Sequence, residues 1–181
     1  MDIKHLLQRI ENGDRQAYAH IVAQFQRPLF GYLGRMALGQ GAAEDIAQET
    51  FLRAWSNLGG YKPELAAFST WLFSIARHLA LNELDSAAHR HEQAMPDDGV
   101  EPMCGAAQPP DQLAQKQQSQ RLQAALHRLP LSDRSALALA YVQDMDLAAV
   151  ARIEGCSTAA IKTRLHRARE KLKSILEEQD G

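Results

Sequence analysis

The chain has 181 residues, of which 45% are hydrophobic and 23% charged, and its formal net charge is −2. This is the composition of an ordinary soluble protein, so wholesale disorder and a collagen-like or other fibrous structure are excluded. The length fits one domain or two small ones.

Cysteine content and the start of the chain exclude several kinds of site. The two cysteines are Cys104 and Cys156, and no CxxC pair occurs, so we expect neither a disulfide framework nor a thiolate zinc site. The first residues are charged and no apolar run follows them, which predicts no signal peptide. No apolar stretch approaches the ~20 residues of a membrane span. We therefore expect a cytoplasmic protein that holds no metal or cofactor.

The first forty residues have apolar side chains at helical spacing. Ile3, Leu6, Leu7 and Ile10 recur at i, i+3, i+4 and i+7, which predicts an amphipathic helix. Two further segments up to residue 36 follow the same pattern, and Pro28 stands where the second of them can begin a new helix. No alternating pattern of useful length appears in the chain. The sequence therefore predicts an all-α fold.

The helix predicted over 42–58 has two faces of different chemistry. One face is an apolar stripe with residues spaced by 4, 3 and 4, which we expect to be buried. The opposite face combines acidic and amide side chains with one leucine, which is typical of a docking surface. A plain solvated face is the alternative. The four outward residues are Asp45, Gln48, Glu49 and Leu52.

A loop over 59–63 precedes another helix with two predicted faces. Its buried stripe is expected to begin with Phe68, while Thr70, Phe73, Arg77 and Leu81 lie on the outward arc. An aromatic ring beside an arginine on an exposed arc suits single-stranded nucleic acid, which binds by stacking and cation contacts. The alternative is that Phe73 packs on a neighbouring helix.

The region 85–110 differs in composition from its surroundings. It contains four of the seven prolines and few large apolar residues, and the segment 85–118 has a net charge of −4. These features predict a flexible acidic linker between two domains. We therefore expect domains at 1–86 and 113–181, joined by a linker at 87–112.

The C-terminal segments predict a helix-turn-helix. Asp146 can cap a short helix that ends at Gly155, and Ser157 can cap a longer one. Six basic residues against one glutamate over 162–173 give the longer helix a basic outer face. Such a helix enters the major groove, where it contacts base edges and phosphates. A solvated basic face is the alternative.

Three segments resemble parts of bacterial sigma factors of the sigma-70 family. Residues 43–55 (AEDIAQETFLRAW) resemble the core-polymerase-binding segment, and residues 68–77 (FSTWLFSIAR) resemble the promoter-melting helix. Residues 161–172 (IKTRLHRAREKL) are similar to the −35 recognition helix. The first two segments form an N-terminal block and the third belongs to a C-terminal block. Two blocks of this kind, in this order and joined only by a linker, resemble the extracytoplasmic-function (ECF) subgroup.

The resemblance implies two small helical domains that direct RNA polymerase to promoters, with no catalytic activity of their own. It implies that the outward residues Asp45, Gln48, Glu49 and Leu52 bind the clamp coiled coil of the largest polymerase subunit. The flap of the polymerase core is a second implied contact with the protein. The residues implied for the −10 element are Tyr61, Lys62, Phe68, Thr70, Trp71, Phe73 and Arg77.

The resemblance also implies a −35 site and a regulatory partner. Arg164 and Arg169 would mostly contact phosphate. An anti-sigma factor would control the protein by burying exposed apolar side chains, for which Leu52, Phe73 and Leu81 are candidates. The full set of residues implied for the −35 element is Lys162, Thr163, Arg164, His166, Arg167 and Arg169.

Two other classes of function compete with this hypothesis. A stand-alone helix-turn-helix regulator would bind duplex DNA without polymerase, usually as a dimer at twin half-sites, but the chain has no zipper heptads. A small enzyme fused to a DNA-binding module would need catalytic motifs. No nucleotide-binding glycine loop, HExxH or GxSxG occurs in the sequence.

Overall fold

The computed structural model describes residues 2–36, 38, 40–93 and 110–180. In this part of the chain every regular element is helical and no strand occurs, which confirms the all-α prediction. None of the described helices is long and apolar enough to cross a bilayer. The helices are α1 (Ile3–Glu11), α2 (Ala17–Leu33), α3 (Gln40–Ser56), α4 (Phe68–Gln93), α5 (Pro110–His127), α6 (Leu131–Leu137), α7 (Leu147–Glu154) and α8 (Thr158–Asp180).

The helices α1 to α4 pack together as an N-terminal unit. Their apolar stripes supply its core, which includes Leu6 of α1, Ile21 of α2, Ala47 of α3 and Leu72 of α4, all buried. Burying a large aliphatic side chain contributes roughly 1.5–3 kcal/mol. Because all four helices direct such residues to one centre, packing holds the unit together.

Pro28 does not begin a helix, so that prediction was wrong. It lies inside α2, which continues unbroken across it. A proline in a helix interior removes one backbone hydrogen bond and costs about 3 kcal/mol. Ile21, Leu29 and Tyr32 are all buried along α2, before and after the proline. This continuous burial offsets the cost of the proline.

Helices extend into both ends of the predicted linker. α4 continues to Gln93 and α5 already begins at Pro110, so both ends of the expected linker are helical. The sequence over 85–93 contains neither proline nor glycine, and nothing in it breaks a helix. The rest of the predicted linker, 94–109, lies outside the described residues.

The helices α5 to α8 form a C-terminal unit that contains the helix-turn-helix. Asp146 caps α7, since its carboxylate accepts a hydrogen bond from the backbone N–H of Ala149 at 2.7 Å. Gly155 ends α7 in the left-handed conformation, with φ of +68°, which glycine adopts without steric cost. Ser157 caps α8 by accepting from the N–H of Ala160 at 3.1 Å. All three local predictions are confirmed.

The two units lie in direct contact. α7 packs on α4, and a single π-helical turn at Ala138–Val142 packs on α2. Two side-chain amides donate across the boundary, from Gln143 to the carbonyl of Pro28 at 3.0 Å and from Gln123 to the carbonyl of Gly34 at 3.2 Å. The position of one unit therefore determines which surfaces of the other remain open.

Candidate polymerase and nucleic-acid interfaces

The outward face of α3 is an accessible surface of mixed polarity. Asp45 and Gln48 are exposed, and the side chain of Leu52 retains 55% of its accessible area. Glu49 forms a surface ion pair with Arg53 one turn later, at 2.6 Å. A larger apolar surface rimmed by polar side chains is typical of protein contacts, and Leu52 forms part of such a surface, the groove described next. We call these four predicted residues, Asp45, Gln48, Glu49 and Leu52, the α3 face.

An apolar groove adjoins the α3 face. It has a volume of about 740 Å³ and lies between α2 and α3. Helical periodicity does not predict it, because Tyr18 and Val22 on its α2 wall belong to a stripe that the pattern assigns to the core. In the structure both side chains are only partly buried. The α3 side of the groove is lined by Glu44, Ala47, Gln48, Phe51, Leu52 and Trp55.

Three residues expected to contact the −10 element are buried instead. Phe68 and Thr70 each expose 3% of their area and Phe73 exposes 1%. The ring of Phe73 meets that of Tyr32 edge-on, with centroids 5.4 Å apart, so the alternative in which Phe73 packs on a neighbouring helix is correct. The outward placement of Thr70 and Phe73 was wrong because α2 and α7 cover that side of α4. Leu81 is likewise only partly exposed.

Two other aromatic residues reach the surface near the start of α4. The rings of Tyr61 and Trp71 are half-buried and stack at a tilt, with centroids 5.2 Å apart, and Phe68 supports both from below. The Tyr61 hydroxyl donates to the carbonyl of Ala66 at 3.0 Å, which closes the loop before α4. Burial, together with Glu64, raises the pKa of Tyr61, so its hydroxyl stays protonated as a donor.

Lys62, which was also predicted to contact the −10 element, is exposed on the loop before α4. On the other side of Trp71 lies a recess of about 520 Å³ between the end of α3 and α4. It was not foreseen because its walls come from segments twenty residues apart. The recess is lined by Arg53, Asn57, Gly60, Trp71, Ser74, Ile75 and His78.

The outer face of α8 is the most regular of the predicted surfaces. Ile161, Leu165 and Ala168 are buried against the rest of the C-terminal unit. The residues between them point outward, as the periodicity predicts. Five of the six predicted −35 residues are exposed, namely Lys162, Thr163, His166, Arg167 and Arg169.

Two of the exposed α8 residues make side-chain hydrogen bonds within the C-terminal unit. The Thr163 hydroxyl donates to the carbonyl of Ala159 at 3.1 Å, and the Arg169 guanidinium donates to the Tyr141 hydroxyl at 3.1 Å. The contact with Tyr141 raises the pKa of Arg169.

Arg77 and Arg164 are not free surface cations. Both donate to the carboxylate of Glu154, the last residue of α7: Arg77 with Nε at 2.9 Å and Nη2 at 3.0 Å, and Arg164 with Nη1 at 3.0 Å. The side chain of Arg77 is 19% exposed and that of Arg164 is 27% exposed. The placement of Arg77 on an outward arc was therefore wrong, because α7 covers it.

Among the described residues, no three acidic, histidine or cysteine side chains come together in an arrangement that could hold a metal ion.

Comparison with known proteins identifies both units. The family model of Sigma-70 region 2 matches residues 21–90, and that of Sigma-70, region 4, matches residues 119–172. The ECF RNA polymerase sigma factor SigW of Bacillus subtilis is 29% identical, with 97% of each chain covered. The RNA polymerase sigma-H factor of Pseudomonas aeruginosa is 26% identical, with 96% of this chain and 93% of that protein covered.

The fold also matches two solved structures. One is CnrH in complex with the cytosolic domain of CnrY, with a TM-score of 0.70, 22% identity and 96% of each chain covered. The other is the sigma factor RpoE in complex with the anti-sigma factor NepR from Bartonella quintana, with a TM-score of 0.70, 20% identity, and 88% of this chain and 96% of that chain covered. The order of the two matched regions, the all-α fold and the relatives agree: the chain belongs to the ECF subgroup of the sigma-70 family of RNA polymerase sigma factors.

Proposed function

We propose that this sigma factor binds core RNA polymerase through its N-terminal unit and contacts promoter DNA through both units. The observation that carries the proposal is the coexistence, in one chain, of the exposed α3 face and the exposed basic face of α8. The first suits a protein partner and the second a DNA duplex. The chain itself supplies binding and orientation, without catalysis, and works in the cytoplasm.

The α3 face is the proposed contact with the clamp coiled coil of the polymerase. Its carboxylates would meet basic side chains, while Leu52 would be buried at the centre, where protein interfaces concentrate their binding energy. Reversing a charge within such an interface juxtaposes like charges and costs several kcal/mol. We expect Asp45→Arg to abolish core binding while the protein keeps its helical content.

A control variant and a binding assay test this contact. Glu11→Arg makes the same change of charge on the exposed side of α1 and should bind core polymerase like the wild type. Binding is measured by fluorescence anisotropy of labelled sigma factor titrated with core polymerase. If Asp45→Arg and Leu52→Ala both bind with wild-type affinity, the proposed contact is wrong.

The outer face of α8 is the proposed −35 interface. Lys162, Thr163, His166 and Arg167 would meet base edges in the major groove, and Arg169 would contact phosphate. Loss of a side chain that contacts a base costs about 1–3 kcal/mol and relaxes sequence preference at that position. Arg167→Ala should therefore lower promoter discrimination, whereas Lys171→Ala, outside the proposed set, should not.

The loop before α4 is the proposed −10 contact. Tyr61 and Trp71 present half-buried aromatic rings, and Lys62 adds a positive charge beside them. The recess next to Trp71 has room for an unstacked base. Capture of a base by such a pocket stabilises the open strand at a cost of a few kcal/mol in unstacking. Phe68 supports this loop through its ring contacts with Tyr61 and Trp71, and the buried Thr70 and Phe73 are not part of the proposed DNA surface.

We further propose that an anti-sigma factor controls the protein. The support is the apolar groove between α2 and α3, whose wall includes Leu52, together with the structural neighbour RpoE, which was solved in complex with the anti-sigma factor NepR. An anti-sigma factor seated there would also block the α3 face. Competition between core polymerase and the partner for the wild type would support this, and simultaneous binding would contradict it.

Run-off transcription tests the proposed function as a whole. Core polymerase with the purified chain should start transcripts at discrete sites on a genomic template library, and core polymerase alone should not. The stand-alone regulator remains the second outcome of this experiment. Tight, dimeric binding to duplex DNA, with no effect on polymerase selectivity, would establish the regulator and exclude the proposal.

A further inference from the structure

A buried carboxylate joins the two units of the chain. The side chain of Glu154 has no exposed surface, and each of its oxygens accepts two hydrogen bonds. Oε1 accepts from Arg77 Nε at 2.9 Å and from the Ser135 hydroxyl at 2.6 Å, while Oε2 accepts from Arg77 Nη2 and Arg164 Nη1, both at 3.0 Å. We call Glu154 with Arg77, Ser135 and Arg164 the Glu154 clasp.

The clasp continues to the N-terminal unit through a second contact. The hydroxyls of Tyr32 and Ser135 lie 2.9 Å apart in the buried interface. Because the single proton of the serine hydroxyl is donated to Glu154, Tyr32 must be the donor to Ser135. Burial raises the pKa of Tyr32, which keeps that proton in place. Tyr32 and Arg77 belong to the N-terminal unit, whereas Ser135, Glu154 and Arg164 belong to the C-terminal unit.

Glu154 neutralises cations from two different functional surfaces. Arg164 lies on the DNA-facing helix α8, and Arg77 on α4 follows the proposed −10 loop. Two guanidinium groups around one anionic group with several oxygens is also how arginines bind a phosphate. The carboxylate therefore meets the two arginines through the same kind of charged hydrogen bonds that a phosphate would accept.

The clasp is incompatible with simultaneous promoter contacts. The −10 and −35 elements are about 25 base pairs apart, which is about 85 Å along straight B-form DNA. In the structure, side chains from both DNA-contacting helices lie within 3.0 Å of one carboxylate. Both units cannot occupy their elements while this contact persists.

We propose that Glu154 acts as an internal phosphate mimic that holds the sigma factor closed, and that promoter DNA gains Arg77 and Arg164 only after the clasp opens. This inference rests on the proposed function, because it takes α4 and α8 as the DNA-contacting helices. The closed state disfavours DNA binding by the free protein, and separation of the units on polymerase removes that restriction.

The test compares Glu154→Gln with the wild type. Glutamine keeps the shape of the side chain but loses the charge, and its amide nitrogen, which replaces one carboxylate oxygen, cannot accept the hydrogen bonds donated to that position. We expect the radius of gyration, measured by small-angle X-ray scattering, to rise by several ångströms above the about 16 Å typical of a compact chain of this length. We also expect the affinity of the free protein for a −35 duplex, measured by fluorescence anisotropy without polymerase, to rise roughly tenfold. This is the effect of removing one charged hydrogen bond by which Glu154 competes with DNA for the arginines.

Two further variants keep the test decisive. Glu170→Gln removes the same charge from an exposed position on α8 and should leave the radius of gyration unchanged. Arg77→Met opens the clasp from the N-terminal unit without altering the helix-turn-helix, so it remains informative if Glu154→Gln unfolds α7. Circular dichroism reports whether each variant is folded.

The outcomes separate the inference from the proposed function. If Glu154→Gln and Arg77→Met both remain as compact as the wild type, the clasp does not hold the units together and the inference is wrong. It is also wrong if Glu170→Gln raises duplex affinity as much as Glu154→Gln does. Failure of the proposed function appears elsewhere, as absence of run-off transcripts with wild-type protein, whatever its radius of gyration.

Discussion

Replacement of Phe73 by alanine distinguishes a core residue from a DNA-stacking residue. The ring is 1% exposed and meets the Tyr32 ring at 5.4 Å. Removing a fully buried phenylalanine leaves a cavity and costs about 3–5 kcal/mol, part of which is the aromatic contact, worth roughly 0.5–1.5 kcal/mol. Since a domain has about 5–15 kcal/mol of stability in all, Phe73→Ala should destabilise the fold severely.

The assay is urea unfolding followed by helical circular dichroism. The free energy of unfolding falls by about 2 kcal/mol for each molar of urea. A loss of about 4 kcal/mol in that free energy therefore lowers the unfolding midpoint by about 2 M urea. Leu52→Ala is the matched control, because Leu52 is 55% exposed and surface truncations change stability by about 0.5 kcal/mol or less. A Phe73→Ala midpoint no lower than that of Leu52→Ala would refute the assignment of Phe73 to the core.

Three further predictions concern the helix-turn-helix. Asp146→Ala removes the cap of α7 and should cost about 0.5–2 kcal/mol in urea unfolding; an unchanged midpoint would show that the cap contributes nothing. Gly155→Ala places a side chain at a φ of +68° and should cost about 1–2 kcal/mol, whereas Gly155→Asn should cost less because asparagine tolerates this conformation; equal midpoints would contradict the backbone argument. Arg169→Ala should lower the slope of log affinity against log salt by about 1 for duplex binding, and an unchanged slope would remove Arg169 from the phosphate contacts.

The Glu154 clasp changes how mutations in α8 are to be understood. Arg164 contributes to the closed protein and, after opening, is available to DNA. A substitution at this position therefore acts on two states with opposite effects on affinity. Arg167 carries no such double role, because it is exposed and none of its contacts involves Glu154. Comparison of the two positions measures how far the closed state restricts DNA binding.

The caps and the turn of the helix-turn-helix follow from neighbouring residues, so the sequence alone was sufficient to predict them. The caps at Asp146 and Ser157 and the left-handed Gly155 depend on hydrogen bonds and backbone sterics within a few residues. The buried stripes of α3 and α8 depend only on helical periodicity. The accessible α3 face and the basic face of α8 were predictable for the same reason.

The accessible surface of α4 was decided only by tertiary structure. Periodicity identifies one apolar face of a helix, but α4 packs on α3 along one side and on α2 and α7 along another. Phe73 is therefore buried, and Arg77 meets Glu154, which lies 77 residues further along the chain. Contacts between residues so far apart leave no periodic signal in the sequence, because they depend on how the two units dock.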